Sequence, residues 1–270
     1  MKKIITCSIV CIMMSMLMSC SVKEKDTMKD NITPTEEVQP TVAPTAVPTA
    51  TPTPEPTPVP EEDYTGKKLV ALSFDDGPTL QTTPLVLDKL EANGVVASFF
   101  LIGKNITDET IPLMERELDL GCEINNHSWN HLSMSAMTPE EIKEEIKLTS
   151  DKIFETVGIN PVFFRPPFIS TSAVMYENID LSFINGINCS DWEASVTAEK
   201  RVETILANVK DGDIILLHDF ANNTNTVDAL DDMIQGLKDD GYAFVTIGKL
   251  FELKGIDPNV ESKLWSNPTW

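Results

Sequence analysis

From about Lys67 onward, short apolar runs alternate with stretches whose apolar residues recur at helical spacing. Buried strands are predicted at residues 69–74, 96–102, 122–126, 162–164, 183–188, 213–217 and 243–246, where apolar residues run almost unbroken. Helices are predicted at 82–93, 111–118, 138–157, 199–210 and 227–239. The third of these opens on Thr138-Pro139-Glu140-Glu141, a capping box with proline at the first helical position. Repeated strand–helix alternation implies a parallel sheet with crossover helices, which suits either a barrel or a doubly wound sheet. Polar clusters gather directly after the strands, and in barrels the chemistry collects at the strands' carboxyl ends, so an α/β fold of the (β/α) barrel type with about seven parallel strands is favoured.

The segments before Lys67 do not follow this pattern. Residues 1–20 pair Lys2 and Lys3 with an apolar run too short for the ~20 residues of a spanning helix, which reads as an export signal. The run ends Leu17-Met18-Ser19-Cys20, similar to a bacterial lipobox, so Cys20 is the expected lipidation site and the only expected membrane attachment. Residues 21–66 form a Pro/Thr-rich linker, and half of the chain's 18 prolines lie between 33 and 62. Extended at about 3.1 Å per residue, that stretch reaches on the order of 90 Å. The expected arrangement is therefore a signal, a tether, a domain at 67–254 and a short tail at 255–270, in an exported protein that is lipid-anchored at the cell surface or else secreted. A net charge of −21 argues against nucleic acid, whose phosphates need clustered Lys and Arg. Of five cysteines, only Cys122 and Cys189 lie in the body of the chain, and two buried thiols are expected rather than a disulfide framework.

Five polar clusters follow the strands. Asp75-Asp76-Gly77-Pro78 brings two adjacent carboxylates out of an apolar run and turns at once; a buried carboxylate needs a positive neighbour. His127-Ser128-Trp129-Asn130-His131 carries two of the three histidines, and i to i+4 spacing would place both rings on one face if the loop is helical. Two imidazoles and a carboxylate are a common facial set for a divalent metal, and Asp76 supplies the carboxylate. Arg165-Pro166-Pro167-Phe168 offers a carboxylate clamp on a stiff loop, against the alternative of a surface arginine. In Asn188-Cys189-Ser190-Asp191-Trp192, Asp191 is able to orient a histidine or to cap a helix, and Trp192 to wall an apolar pocket. Leu217-His218-Asp219 holds the third histidine, a candidate proton carrier.

In this order, Phe-Asp-Asp-Gly-Pro at 74–78 and His-Ser-x-x-His at 127–131, with the three later clusters, resemble the polysaccharide deacetylase family, also called the NodB-homology domain or carbohydrate esterase family 4. The resemblance spans about residues 67–253 and implies a distorted (β/α) barrel. It further implies Asp75 as catalytic base, His218 as catalytic acid, and Asp76, His127 and His131 as ligands of a divalent metal, zinc first, with cobalt or another divalent ion as alternatives. Arg165 is implied to hold Asp75 and Asp191 to tune His218. The Phe168 N–H is implied to serve the oxyanion hole, and Trp192 and Leu217 the acetyl pocket. The implied activity is removal of acetyl groups from an acetylated polysaccharide: N-acetylglucosamine in peptidoglycan first, chitin or acetylated xylan as alternatives. Phe168 stands where many members have Tyr, Ile169 where Gly is frequent and Asn188 where Asp is common. Those departures are the support for a different class, a non-catalytic glycan-binding surface protein.

Overall fold

The computed structural model describes residues 63–269. The expected export signal, Cys20 and all but the last four residues of the expected linker lie outside the described residues, as does Trp270.

Eight strands form one sheet: β1 (Lys68–Asp75), β2 (Ala97–Leu101), β3 (Glu123–Asn126), β4 (Phe163–Phe164), β5 (Ser182–Ile184), β6 (Asp213–His218), β7 (Tyr242–Phe244) and β8 (Leu264–Trp265). Every strand pair is parallel. The order is β6-β1-β2-β3-β4-β5-β8; β6 takes one edge of β1, and β7 and β2 share the other. The curl closes where the chain after β5 reaches β6: Ile187 bridges Ile215, and Ile214 N–H donates to Ser266 O at 3.0 Å. This is the barrel that the polar clusters at the strand ends favoured, distorted as the family resemblance implied.

Helices α1 (Thr83–Asn93), α2 (Ile111–Asp119), α3 (Pro139–Val157), α4 (Ala173–Asn178), α5 (Ala198–Asn208), α6 (Thr224–Asp239) and α7 (Ile247–Lys254) connect the strands. The α3 capping box forms as its sequence dictates, with Thr138 N–H donating to Glu141 Oε2 at 2.8 Å and Glu141 N–H to Thr138 Oγ1 at 3.3 Å. Strand alternation divides the apolar residues into two layers. Val70, Leu72 and Phe74 of β1 and Ile215 and Leu217 of β6 pack outward against Leu87 and Leu90 of α1 and Leu230 and Met233 of α6. Leu69 and Ala71, Phe100 of β2 and Ile214 of β6 point the other way, into the curl, where Ile247, Leu250 and Phe251 of α7 join them.

Three expectations change. The strand expected at 183–188 is regular only over Ser182–Ile184. Helix α7 follows the last predicted strand directly and helps to fill the curl. The supposed tail belongs to the fold: β8 pairs with β5, and Trp265 is buried edge-on against Phe251 with ring centroids 5.3 Å apart. Cys122 and Cys189 are free and buried, and burial pushes both thiols up to about 12.

Candidate active site

The inward row of β1 is Leu69, Ala71, Ser73 and Asp75, so period-two alternation delivers Asp75 to the carboxyl rim. The guanidinium of Arg165, fully buried just after β4, holds it there. Arg165 Nη1 donates to Asp75 Oδ1 at 2.6 Å, and Nη2 to Ser73 Oγ and Asn185 O at 2.8 and 2.9 Å. The guanidinium carbon also stacks 4.1 Å over the Phe100 ring. The surface-arginine alternative is excluded.

Asp76 leaves the strand with φ of 77°, a left-handed conformation that Asp tolerates better than most side chains. The turn then needs Gly77, because a Cβ there would stand 2.6 Å from a carboxyl oxygen of Asp219. Asp76 Oδ1 lies 3.4 Å from His127 Nε2 and 3.2 Å from His131 Nε2. The loop carrying both rings is not helical: Ser128 and His131 have φ of 67° and 55°. The rings converge through those two kinks instead, with centroids 4.9 Å apart.

These three side chains fit a metal on the chemistry of their donors. His127 Nδ1 is 2.7 Å from Arg165 O, and a carbonyl only accepts, so Nδ1 carries the hydrogen. In the neutral ring Nε2 then presents a lone pair to Asp76 Oδ1, which is buried and makes no hydrogen bond of its own. Two acceptors held at that separation call for a cation or a proton between them. One donor atom from each of Asp76, His127 and His131 lies within 4.8 Å of the others, and this is the only such trio of His, Cys, Asp or Glu among the described residues. Burial alone would raise the Asp76 pKa, but contact with His127 and the charges of the three histidines outweigh it and hold it at about 2. Burial, aided by the His127 charge, keeps His131 below its ordinary value. Both shifts favour the metal-binding protonation states.

Across the recess stands His218, at the end of β6 beside Asp75 in register. Its Nδ1 is 2.8 Å from Asp191 Oδ1, and its N–H donates to Asp191 Oδ2 at 2.8 Å. Burial depresses the imidazole's pKa, but the Asp191 hydrogen bond and charge prevail and lift it to about 9. Asp191 is fully buried and does not cap a helix; Thr226 Oγ1 donates to it at 2.9 Å and Asn223 Nδ2 at 3.3 Å. Arg201, itself buried, donates to Asn223 and Thr226 at 2.8 and 2.6 Å. This supporting layer of Ser73, Asn185, Arg201, Asn223 and Thr226 was missed in the sequence. Arg201 and Thr226 sit on helix faces whose polarity looks solvent-directed until the packing is known.

A cavity of about 400 Å³ joins the two halves, lined by Asp75, Asp76, His131, Phe168, Ile169, Asn188, Trp192, Leu216 and His218. Phe168 and Trp192 are about half exposed or more at its mouth, and Phe168 packs on His131 with centroids 4.8 Å apart. The pocket position expected for Leu217 belongs to Leu216. His218 faces the cavity, alternation puts Leu216 on the same side, and Leu217 points into the outer core. Ile169 has φ of 53°, a strained conformation for a β-branched residue and one that glycine accepts freely.

The polysaccharide deacetylase family model matches residues 62–180, which contain Asp75, Asp76, His127, His131 and Arg165. A peptidoglycan-N-acetylglucosamine deacetylase of Bacillus cereus is 36% identical over 197 residues, 70% of this chain and 90% of that protein. The chain belongs to the polysaccharide deacetylase family. A second family member, a bifunctional xylanase/deacetylase of Pseudobutyrivibrio xylanivorans, is 51% identical over 201 residues, covering 74% of this chain but 33% of that longer protein. Among solved structures, a family 4 acetyl xylan esterase from Clostridium thermocellum in complex with a cobalt ion superposes with a TM-score of 0.72 at 43% identity, covering 74% of this chain and 98% of that one. Deacetylases of this family thus include enzymes named for xylan and for peptidoglycan, and at least one carries a divalent metal.

Proposed function

We propose that this chain is a metal-dependent hydrolase that removes acetyl groups from an acetylated polysaccharide. One observation carries the reading: a salt-bridged carboxylate, Asp75, and a carboxylate-backed histidine, His218, end neighbouring strands and line one recess with Asp76 and His131 of the Asp76–His127–His131 trio. Asp76, His127 and His131 hold the ion, zinc or cobalt. Bound there, a divalent cation polarises a carbonyl and lowers the pKa of water towards about 7. Asp75 takes the proton of the attacking water; the Arg165 bridge leaves its Oδ2 aimed towards the trio, 3.9 Å from His127 Nε2. The Phe168 N–H stabilises the developing oxyanion. His218, cationic at neutral pH, gives its Nε2 proton to the leaving atom while Asp191 holds Nδ1. Leu216, Phe168 and Trp192 enclose the acetyl methyl.

For the substrate, acetylated xylan is the first choice, because the relatives with xylan in their names are 51% and 43% identical to this chain over the aligned residues, against 36% for the peptidoglycan enzyme. Peptidoglycan N-acetylglucosamine is the second reading, supported by that enzyme's 90% coverage and by the lipobox-like end and long Pro/Thr-rich stretch, which suit a wall-facing, lipid-anchored domain. Acetate release from acetylxylan, chitin oligosaccharides and purified peptidoglycan, followed by mass spectrometry, separates the readings. Release from acetylxylan with at least about tenfold higher kcat/KM supports the first choice, and the reverse ratio supports the second. No release from any of the three favours a glycan-binding protein without catalysis.

A further inference from the structure

His127 and His131 are held in different ways. The His127 ring is fixed through Nδ1 on Arg165 O. Among the described residues the His131 ring has no such hydrogen bond: its Nε2 faces Asp76 Oδ1 at 3.2 Å and its ring packs on Phe168, so its direction depends chiefly on the backbone that carries it. That backbone is unfavourable in itself, with left-handed conformations at Ser128 and His131 that cost on the order of 1 kcal/mol each. Something must hold the loop in place.

The hold comes from α3. Glu145 Oε2 accepts from the N–H groups of Trp129 and Asn130 at 2.9 and 2.8 Å, and Oε1 from Asn130 Nδ2 at 2.7 Å. The carboxylate is buried, and bonds to an ionised acceptor in such surroundings are about twice as strong as neutral ones. One turn further along, the other shoulder of the loop is clasped: Asn126 Nδ2 donates to Ile146 O and to Ser150 Oγ, each at 2.9 Å. Below, Trp129 lies against Gly103 so closely that a Cβ on that glycine would collide with its ring.

We propose that Glu145 is a positioning residue for the metal site: its carboxylate fixes the peptide units immediately before His131 and thereby sets the angle at which His131 meets His127 and Asp76. This rests on the reading that those three residues hold a metal. Glu145 does not line the recess; its carboxylate bonds to Trp129 and Asn130. It acts on ligand geometry alone.

Cobalt is the probe, because its absorption reports ligand number and angle as well as occupancy. The full chain is stripped with chelator and titrated with Co²⁺ against a competing dye, with circular dichroism as a check on folding. Glu145→Ala is expected to bind about 10- to 100-fold more weakly and to shift the cobalt absorption bands. Glu145→Gln is expected to stay within about threefold of the parent: its amide oxygen still accepts both backbone N–H groups once the Asn130 amide turns over. Asn130→Ala, which removes one of the three bonds and leaves α3 intact, is expected to fall between them and serves if the alanine variant does not fold. Parent-like affinity and an unshifted spectrum in Glu145→Ala, or in Asn130→Ala where that variant stands in, overturns the inference while leaving the metal reading intact. Failure of the parent chain to bind cobalt overturns the metal reading and the inference with it.

Discussion

A charge pair buried as deeply as Arg165 and Asp75 is tolerated only because each partner satisfies the other. Removing one partner leaves an unpaired charge in low dielectric, which costs about 3–5 kcal/mol. Arg165→Met is therefore expected to lose that much stability in denaturant unfolding, and a second change, Asp75→Asn, to recover part of it without recovering activity. A single Arg165→Met variant as stable as the parent would contradict the pairing. His218 obeys a related rule. Asp191 raises its pKa to about 9, so the pair's contribution to stability is complete below the unfolded value near 6.5 and is lost as pH rises through about 9. In the proposed mechanism the same shift gives His218, as proton donor, an alkaline limb near pH 9. Asp191→Asn is expected to move that limb of the kcat profile down by about one pH unit or more. An unmoved limb would assign it to another group.

Among the elements, legibility tracked length and pattern. α3 was readable because a capping box, a helical repeat and Gly158 after its end all agree. The two-residue strand β8 was not, since Leu264-Trp265 in a polar stretch carries no periodicity. The exchange of Leu217 for Leu216 turns on parity alone. His218 was already placed on the recess, and counting back by two would have reached Leu216. The histidine pair was expected to converge through helical spacing and converges instead through two left-handed residues, which single residues do not announce. The least legible feature lies on α2. Glu117 is fully buried with no partner for either carboxyl oxygen, and burial, reinforced by the Asp219 charge, holds its pKa well above the ordinary value. A raised carboxyl pKa gives stability that is complete below the unfolded value near 4.5 and is lost as pH rises. Glu117→Gln is therefore expected to melt above the parent at pH 8, with the gap closing towards pH 5. A gap that widens in acid would reverse the sign of this account.

At the scale of the whole molecule, the sheet explains why residues scattered from Asp75 to His218 meet. Parallel strands align their carboxyl ends, and β1, β3, β4 and β6 bring Asp75, Asp76, the His127–His131 loop, Arg165 and His218 to a single rim. The barrel class and the polar clusters were legible in the sequence, because polar residues break apolar runs at or soon after the strands, while the roles of the trio, of Asp75 with Arg165 and of His218 with Asp191 were implied by the family resemblance. The supporting layer and the closure by β8 depend on contacts between segments far apart in sequence and emerge only from packing. The proposed activity requires the trio to act through a bound cation. Acetate release from acetylated polysaccharide by the chelator-stripped chain, before and after addition of stoichiometric zinc or cobalt, tests that dependence most directly. The expected result is no release when stripped and full recovery on adding either ion. Release that persists through complete removal of metal would contradict it.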